Sequence, residues 1–172
     1  MKTAHRKASR AKRSSMNHLH APLPKFWRPK LTDGQKLECK LLHWDLIDRF
    51  TAGAADKGDL WDWMEAGFTY RKLMDLLRQD GTEFTPEAEA AIDEQLAIYE
   101  AVAARYARTG RAGFSAAELL TARAAASVFD SLVELDRNGL AQAAARWSIA
   151  QMTAISREQM AGKPGGAPPC GH

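Results

Sequence analysis

Four acidic side chains recur at helical spacing in the first half of the sequence, and paired carboxylates of this kind can act as general acid and base. They are Asp56, Asp59, Asp62 and Glu65. Acidic residues near a helix start also stabilise the positive end of the helix dipole. The sequence contains no phosphate-binding glycine loop, no Gly-x-Ser-x-Gly elbow and no His-Glu-x-x-His motif. We therefore interpret the carboxylates as helix-start residues and predict a non-enzymatic protein without a cofactor.

Cysteine and histidine residues are too scattered to predict a metal site. Candidate pairs at short spacing are Cys39 with His43, His18 with His20, and Cys170 with His172. A structural zinc ion usually takes four ligands with close local spacing. We predict no bound metal, and two cysteines this far apart do not indicate a disulfide framework.

Positive charge is concentrated at the N-terminus. Residues 1–30 contain nine Lys or Arg and no Asp or Glu, whereas residues 31–104 contain seven basic and sixteen acidic residues. Five of the basic residues fall within eight positions, namely Arg6, Lys7, Arg10, Lys12 and Arg13. This pattern is typical of an arm that contacts nucleic acid through phosphates, without reading bases. The alternatives are a tail without a specific role and a contact with protein, either the chain's own acidic helices or those of a second copy.

The segment after the arm has a different character. Residues 1–21 carry few large apolar side chains, so we predict that they are disordered. Residues 22–31, PLPKFWRPKL, contain three prolines that favour extended backbone. Phe26 and Trp27 are bulky enough to dock on a folded surface, and we count Trp27 among the predicted partner-binding residues. The sequence thus predicts an extended but anchored junction.

The rest of the chain reads as helices with short connections. We predict helices at 33–51 and at 59–79 capped by Asp59, a third from the cap Thr85 to Gly110, a fourth from the capping box at Ser115 to Asn138-Gly139, a fifth at 140–160, and a loose Gly/Pro tail at 162–172. No segment alternates with a period of two. The predicted fold is an all-α antiparallel bundle of about five helices over residues 32–161, with a disordered basic N-terminal arm.

Large apolar residues indicate which helix faces form the core. In the first helix Leu37, Leu41, Trp44 and Ile47 form the predicted stripe, widened by Leu42, Leu46 and Phe50. Because the later helices are rich in alanine, much of the anchoring is expected from large aromatic side chains. These are Trp44, Trp61, Phe68, Phe129 and Trp147. An alternative is that a second subunit completes the core, so a homodimer is one possible partner arrangement. Gly67, in mid-helix, predicts a close helix crossing or a break.

Two aromatic residues of the second helix lie outside its predicted core face. Trp61 and Met64 share a face, whereas Trp63 points away from them, and Tyr70 lies seven residues beyond Trp63. Since Trp and Tyr are enriched at interfaces, Trp63 and Tyr70 are predicted partner-binding residues. The alternative is a central helix that is buried on several sides.

The segment Gly113–Leu119 is similar to the turn and start of a recognition helix in bacterial regulators. The helix that follows offers only Arg123 as a basic residue, whereas groove reading needs Arg, Asn, Gln or Lys. An ordinary bundle helix opened by a capping box explains the same residues.

The segment Lys25–Leu31, followed by an alanine-rich helical body, resembles a group of small uncharacterised helical proteins encoded in proteobacterial prophages. The resemblance implies a phage-related accessory role in regulation, assembly or interference with a host system. No apolar run is long enough to span a bilayer, and no secretory signal is present. We therefore predict a cytoplasmic binding protein. Its partner is nucleic acid through the arm or, alternatively, a host or phage protein through the bundle.

Overall fold

The computed structural model describes residues 30–161, with side chains up to Arg157. It contains five helices, which are α1 (Asp33–Thr51), α2 (Lys57–Gln79), α3 (Pro86–Thr109), α4 (Ala116–Leu135) and α5 (Leu140–Ala161). Within this range the only extended pairing is a single bridge between Ala55 and Ala112. The predicted all-α fold with five helices is confirmed. The arm, residues 22–29 of the junction and the tail lie outside the described residues.

Side-chain caps set the helix starts. Thr32, Thr85 and Ser115 accept hydrogen bonds from the first turns of α1, α3 and α4. The predicted cap of α2 was wrong by three residues, because Asp56 occupies that position. Its Oδ1 accepts from the backbone N–H of Gly58 at 2.7 Å and of Asp59 at 3.1 Å, and Asp59 Oδ2 accepts from the Asp56 N–H at 2.9 Å. The two aspartates form a reciprocal capping box.

Neighbouring helices run antiparallel. In α1 and α4, Lys40 near the start of one helix pairs with Glu134 near the end of the other. In α3 and α4, Arg105 near the end of one pairs with Glu118 near the start of the other. Helix α2 packs against all four others, most extensively against α5 and α3. These contacts place α2 at the centre of the bundle.

Small residues allow the helices to approach closely. At Gly67 of α2, an added Cβ would lie 2.1 Å from Gln95 Oε1 and 2.5 Å from Leu96 Cδ2. Gln95 is fully buried, and its Nε2 donates to the Trp63 carbonyl at 2.8 Å. Gly67 thus marks the close crossing of α2 and α3, which was one of its two predicted outcomes.

The predicted aromatic anchors contribute unequally to the core. Phe129 is fully buried, and Trp44, Trp61 and Phe68 are half-buried. Trp147 remains 38% exposed, with its ring edge-on to Phe68. Since α4 packs against α1, α2 and α3, the Ser115 capping box opens a bundle helix, as the alternative to a recognition helix proposed. None of the described helices is long and apolar enough to cross a membrane.

Candidate functional site

The structure tests two of the predicted site residues. Trp63 and Tyr70 lie within α2, whereas Trp27 and the five basic residues of the arm (Arg6, Lys7, Arg10, Lys12 and Arg13) lie outside the described residues.

Trp63 and Tyr70 are core residues, so their prediction as exposed partner-binding residues was wrong. Trp63 is 1% exposed, with its ring centroid 6.0 Å from Phe50 and 5.4 Å from Phe114. Tyr70 is 5% exposed and stacks on Phe129 at 4.2 Å. The physical reason is that α2 is enclosed by other helices on more than one side, which was the stated alternative.

Spacing along α2 carried a signal that the sequence analysis missed. The inward face follows a regular pattern of three and four residues, formed by Trp63, Gly67, Tyr70, Met74 and Leu77, all buried. Trp61 is instead half-buried beside α5, where it shares a groove with Ile149 and Met152. Steps that alternate between three and four residues are typical of the buried face of a helix. The sequence therefore indicated this face, provided that Gly67 is counted among its residues.

A half-buried polar cluster lies between α1, α2 and α4. The ring of His43 lies edge-on to Tyr70 at 4.8 Å and to Phe129 at 5.3 Å. Burial lowers the pKa of His43 to about 4, although the nearby Asp130 carboxylate acts in the opposite direction. Trp44 Nε1 donates to Asp130 Oδ2 at 3.1 Å. His43 Nδ1 and Asp130 Oδ1 have no hydrogen-bond partner in the described part of the chain.

The same burial keeps Cys39 and His43 uncharged at neutral pH. The pKa of the Cys39 thiol is raised, mainly by burial and also by the neighbouring Glu38. A thiol must ionise to attack a substrate or bind a metal. No group of three or more His, Cys, Asp or Glu side chains among residues 30–157 could hold a metal ion. The surroundings of Cys39 and His43 therefore suit the packing of aromatic rings and do not activate the Cys39 thiol as a nucleophile or metal ligand.

Four acidic residues lie at or near the start of α2, and two of them, Asp56 and Asp59, make contacts that stabilise the helix start. Asp59 is buried and pairs with Arg49 Nη1 at 2.7 Å, in addition to its bond from the Asp56 N–H. Burial is the main cause of a raised pKa at both Asp62 and Glu65. The Asp56 and Asp59 carboxylates thus fix the start of α2.

An exposed apolar face on α1 is the surface that the sequence analysis did not predict. Leu37, Leu41 and Leu42 were expected in the core, but they are 57%, 60% and 62% exposed. Together with Gly34, Glu38 and Asp45 they line a shallow depression of about 320 Å³. We call these six residues the α1 outer face. It combines apolar side chains with carboxylates on one side of a single helix.

The inward face of α1 explains the error. Its first positions are the half-buried Lys36, Lys40 and His43, followed by the buried Ile47 and Phe50. Lys36 Nζ and Lys40 Nζ reach Glu134 on α4, at 3.1 Å and 2.7 Å. Polar residues therefore occupy the seam where apolar residues were assumed, and the leucines lie outward. The i, i+4, i+7 spacing of these five residues was the available signal.

Comparison of the chain with protein-family models, with curated proteins and with solved structures found no match.

Proposed function

We propose that the protein binds nucleic acid without sequence preference, through the phosphate-neutralising side chains Arg6, Lys7, Arg10, Lys12 and Arg13. The helical body serves as the carrier of this arm. An accessory role in phage biology and a cytoplasmic location are part of the proposal, and the phage role depends on the resemblance of Lys25–Leu31.

The observation that carries the proposal is the separation of charge along the chain. Residues 1–29 contain eight basic residues and no acidic ones, whereas residues 30–161 contain fifteen basic and twenty-one acidic residues. Several basic side chains of the body are already paired with carboxylates, for example Lys36, Lys40, Arg49 and Arg105. A polyanion is therefore attracted to the arm and repelled on average by the body.

The test is a fluorescence anisotropy titration of labelled duplex DNA and single-stranded RNA of unrelated sequences at low salt. In one variant all five arm residues are replaced by Gln. The control, K57Q/R108Q/R111Q/R123Q/R157Q, removes the same charge from exposed positions of the body.

The proposal expects binding that is similar for all sequences and at least about tenfold weaker in the arm variant. The control variant should bind within about twofold of the unmodified protein. Equal weakening in both variants would show that net charge alone matters, and the proposal would be rejected.

A second candidate is a protein-interaction factor that acts through the bundle, as an inhibitor of a host system or an assembly adaptor. The observation that favours it is the groove between α2 and α5, about 450 Å³ in volume, where Trp61 and the 53% exposed Ile149 lie together. A half-buried aromatic side chain beside an exposed aliphatic one in a groove is typical of a protein-binding surface.

This candidate predicts that a protein captured after nuclease treatment is lost in Ile149→Ser. The control is Leu120→Ser, an equally simple change at a leucine on α4 that is 70% exposed. Retention of the captured protein in both variants would contradict a role for the groove.

A further inference from the structure

We propose that residues 23–28 of the chain's own N-terminal junction dock on the α1 outer face. The face is the surface defined above by Gly34, Leu37, Glu38, Leu41, Leu42 and Asp45. The proposal goes beyond nucleic-acid binding, because none of the five arm residues belongs to this segment.

The α1 outer face has an apolar centre, as is typical of a surface that another segment covers. Its three leucines are each more than half exposed and lie within two turns of one helix. Burial of a leucine contributes about 1.5–3 kcal/mol relative to full exposure, so covering the cluster is favourable. The segment supplies matching apolar groups in Leu23, Phe26 and Trp27.

Charge also matches between the segment and the face. Glu38 and Asp45 line the depression, Asp45 also pairs with Arg49 on the same helix at 3.3 Å, and Asp33 and Asp48 are exposed on that helix. The segment carries Lys25 and Arg28 and has no acidic residue. Docking would therefore place basic side chains beside carboxylates around an apolar centre.

The same charges argue against a second copy of the protein as the occupant. If two α1 outer faces packed antiparallel with the symmetry axis between Leu41 and Leu42, Glu38 of one chain would lie opposite Asp45 of the other. Like charges placed opposite each other at an interface are unfavourable. A basic and apolar segment meets no such repulsion.

The length of the chain permits docking within one molecule. The described part begins at Lys30, two residues before the cap Thr32. Leu37 and Leu41 lie about 6 Å and 12 Å along the helix from Asp33. Five residues lie between Trp27 and Asp33, and the six Cα–Cα steps from one to the other can span about 20 Å. One chain reversal near Pro29, a residue type that favours turns, would bring Trp27 over the leucines.

The test is amide hydrogen exchange of the full-length protein, followed by mass spectrometry or NMR. We expect the amides of Lys25, Phe26, Trp27 and Arg28 to exchange at least about tenfold more slowly than in an unstructured peptide. This protection should be the same at low and high protein concentration, because the contact is intramolecular.

Two variants and one control make the test specific. Leu37→Ser/Leu41→Ser changes the face, Phe26→Ser/Trp27→Ser changes the segment outside the bundle, and Leu120→Ser is the control. Both double variants should lose the protection to within about twofold of the peptide, and the control should keep it. Far-ultraviolet circular dichroism checks that each variant remains helical.

Three results would overturn the proposal. The first is that the segment's amides exchange at the peptide rate in the unmodified protein. The second is that their protection survives Leu37→Ser/Leu41→Ser. The third is that their protection rises with protein concentration. The last result, together with a dimer in sedimentation, would assign the face to a second copy. Arg6–Arg13 lie outside the segment, so the two proposals can fail separately. A negative hydrogen-exchange result does not change the outcome expected in the DNA titration, and a negative DNA titration does not argue against docking.

Discussion

His43 couples the stability of the bundle to pH. It is largely buried against Tyr70 and Phe129, and burial lowers its pKa from 6.5 to about 4. The unfolded chain therefore binds a proton between these values that the folded chain does not. Stability conferred by the neutral imidazole is complete above about pH 6.5 and is lost as the pH falls towards 4.

We predict that lowering the pH from 7 to 5 costs about 2 kcal/mol of unfolding free energy through this residue. His43→Leu should remove that part of the pH dependence, because leucine does not titrate. Urea unfolding of both proteins at the two pH values measures the difference. The same loss in both would show that His43 is not the group responsible.

Gly67 is the residue at which helix propensity and packing make opposite predictions. Alanine is the better helix former by about 1 kcal/mol. A Cβ at this position, however, would lie 2.1 Å from the buried Gln95 Oε1, and moving that amide breaks its bond to the Trp63 carbonyl.

We therefore expect Gly67→Ala to destabilise the protein by about 1–3 kcal/mol. Gly34→Ala is the matched control, because its added Cβ meets only Thr32 Oγ1, at 4.0 Å. Thermal unfolding should show a lower midpoint for Gly67→Ala and an unchanged or higher one for Gly34→Ala. A stabilised Gly67→Ala protein would contradict the close crossing of α2 and α3.

At the scale of elements, one carboxylate joins two helices. The Asp136 backbone N–H donates to the Leu132 carbonyl at the end of α4. Its side chain accepts from the N–H groups of Leu140 at 2.8 Å and Ala141 at 2.9 Å, at the start of α5. Asp136 is itself buried. Gly139, with a φ of 67°, makes the turn between the two helices.

We predict that Asp136→Ala costs about 2 kcal/mol or more, because it leaves three N–H groups without their acceptor, those of Asn138, Leu140 and Ala141, with the Leu140 bond buried and the other two partly buried. Thr85→Ala should cost about 1 kcal/mol, since that exposed cap accepts one bond, from Ala88. Urea unfolding gives both values. Equal costs would mean that Asp136 acts as an ordinary exposed cap.

The helix positions were largely predictable from the sequence because their signals are local. Thr85-Pro86 and the Ser115–Glu118 capping box place α3 and α4 by interactions within one turn. The orientation of helix faces was less predictable. On α1, Lys36 and Lys40 lie inward, where they pair with Glu134, which is 98 and 94 residues away in the chain. That partner is not visible to a periodicity that counts apolar residues alone.

The parts of the candidate site also differ in how well the sequence predicted them. The basic arm is a property of composition and needs no fold to be recognised. The α1 outer face depends on which of two adjacent stripes the neighbouring helices cover, and the sequence favoured the wrong one. The burial of Trp63 and Tyr70 follows from the central position of α2, and the 3–4 spacing of Trp63, Gly67 and Tyr70 indicated it in the sequence.

At the scale of the whole molecule, the proposed function depends on the division between a basic N-terminus and a body with more acidic than basic residues. In this proposal the body is a folded surface that does not compete for phosphate. The α1 outer face holds the base of the arm in the proposed arrangement, so Arg6–Arg13 extend from a fixed point. Salt should weaken binding in proportion to the number of phosphates that the arm neutralises.

The measurement that tests this account most directly is the dependence of DNA binding on salt. For the full-length protein and duplex DNA, the logarithm of the binding constant should fall against the logarithm of salt concentration with a slope of about −4.5, as expected for five phosphate contacts. Replacing Arg6, Lys7, Arg10, Lys12 and Arg13 by Gln should bring the slope near zero. A slope near zero in the unmodified protein, or an unchanged slope in the variant, would contradict the account.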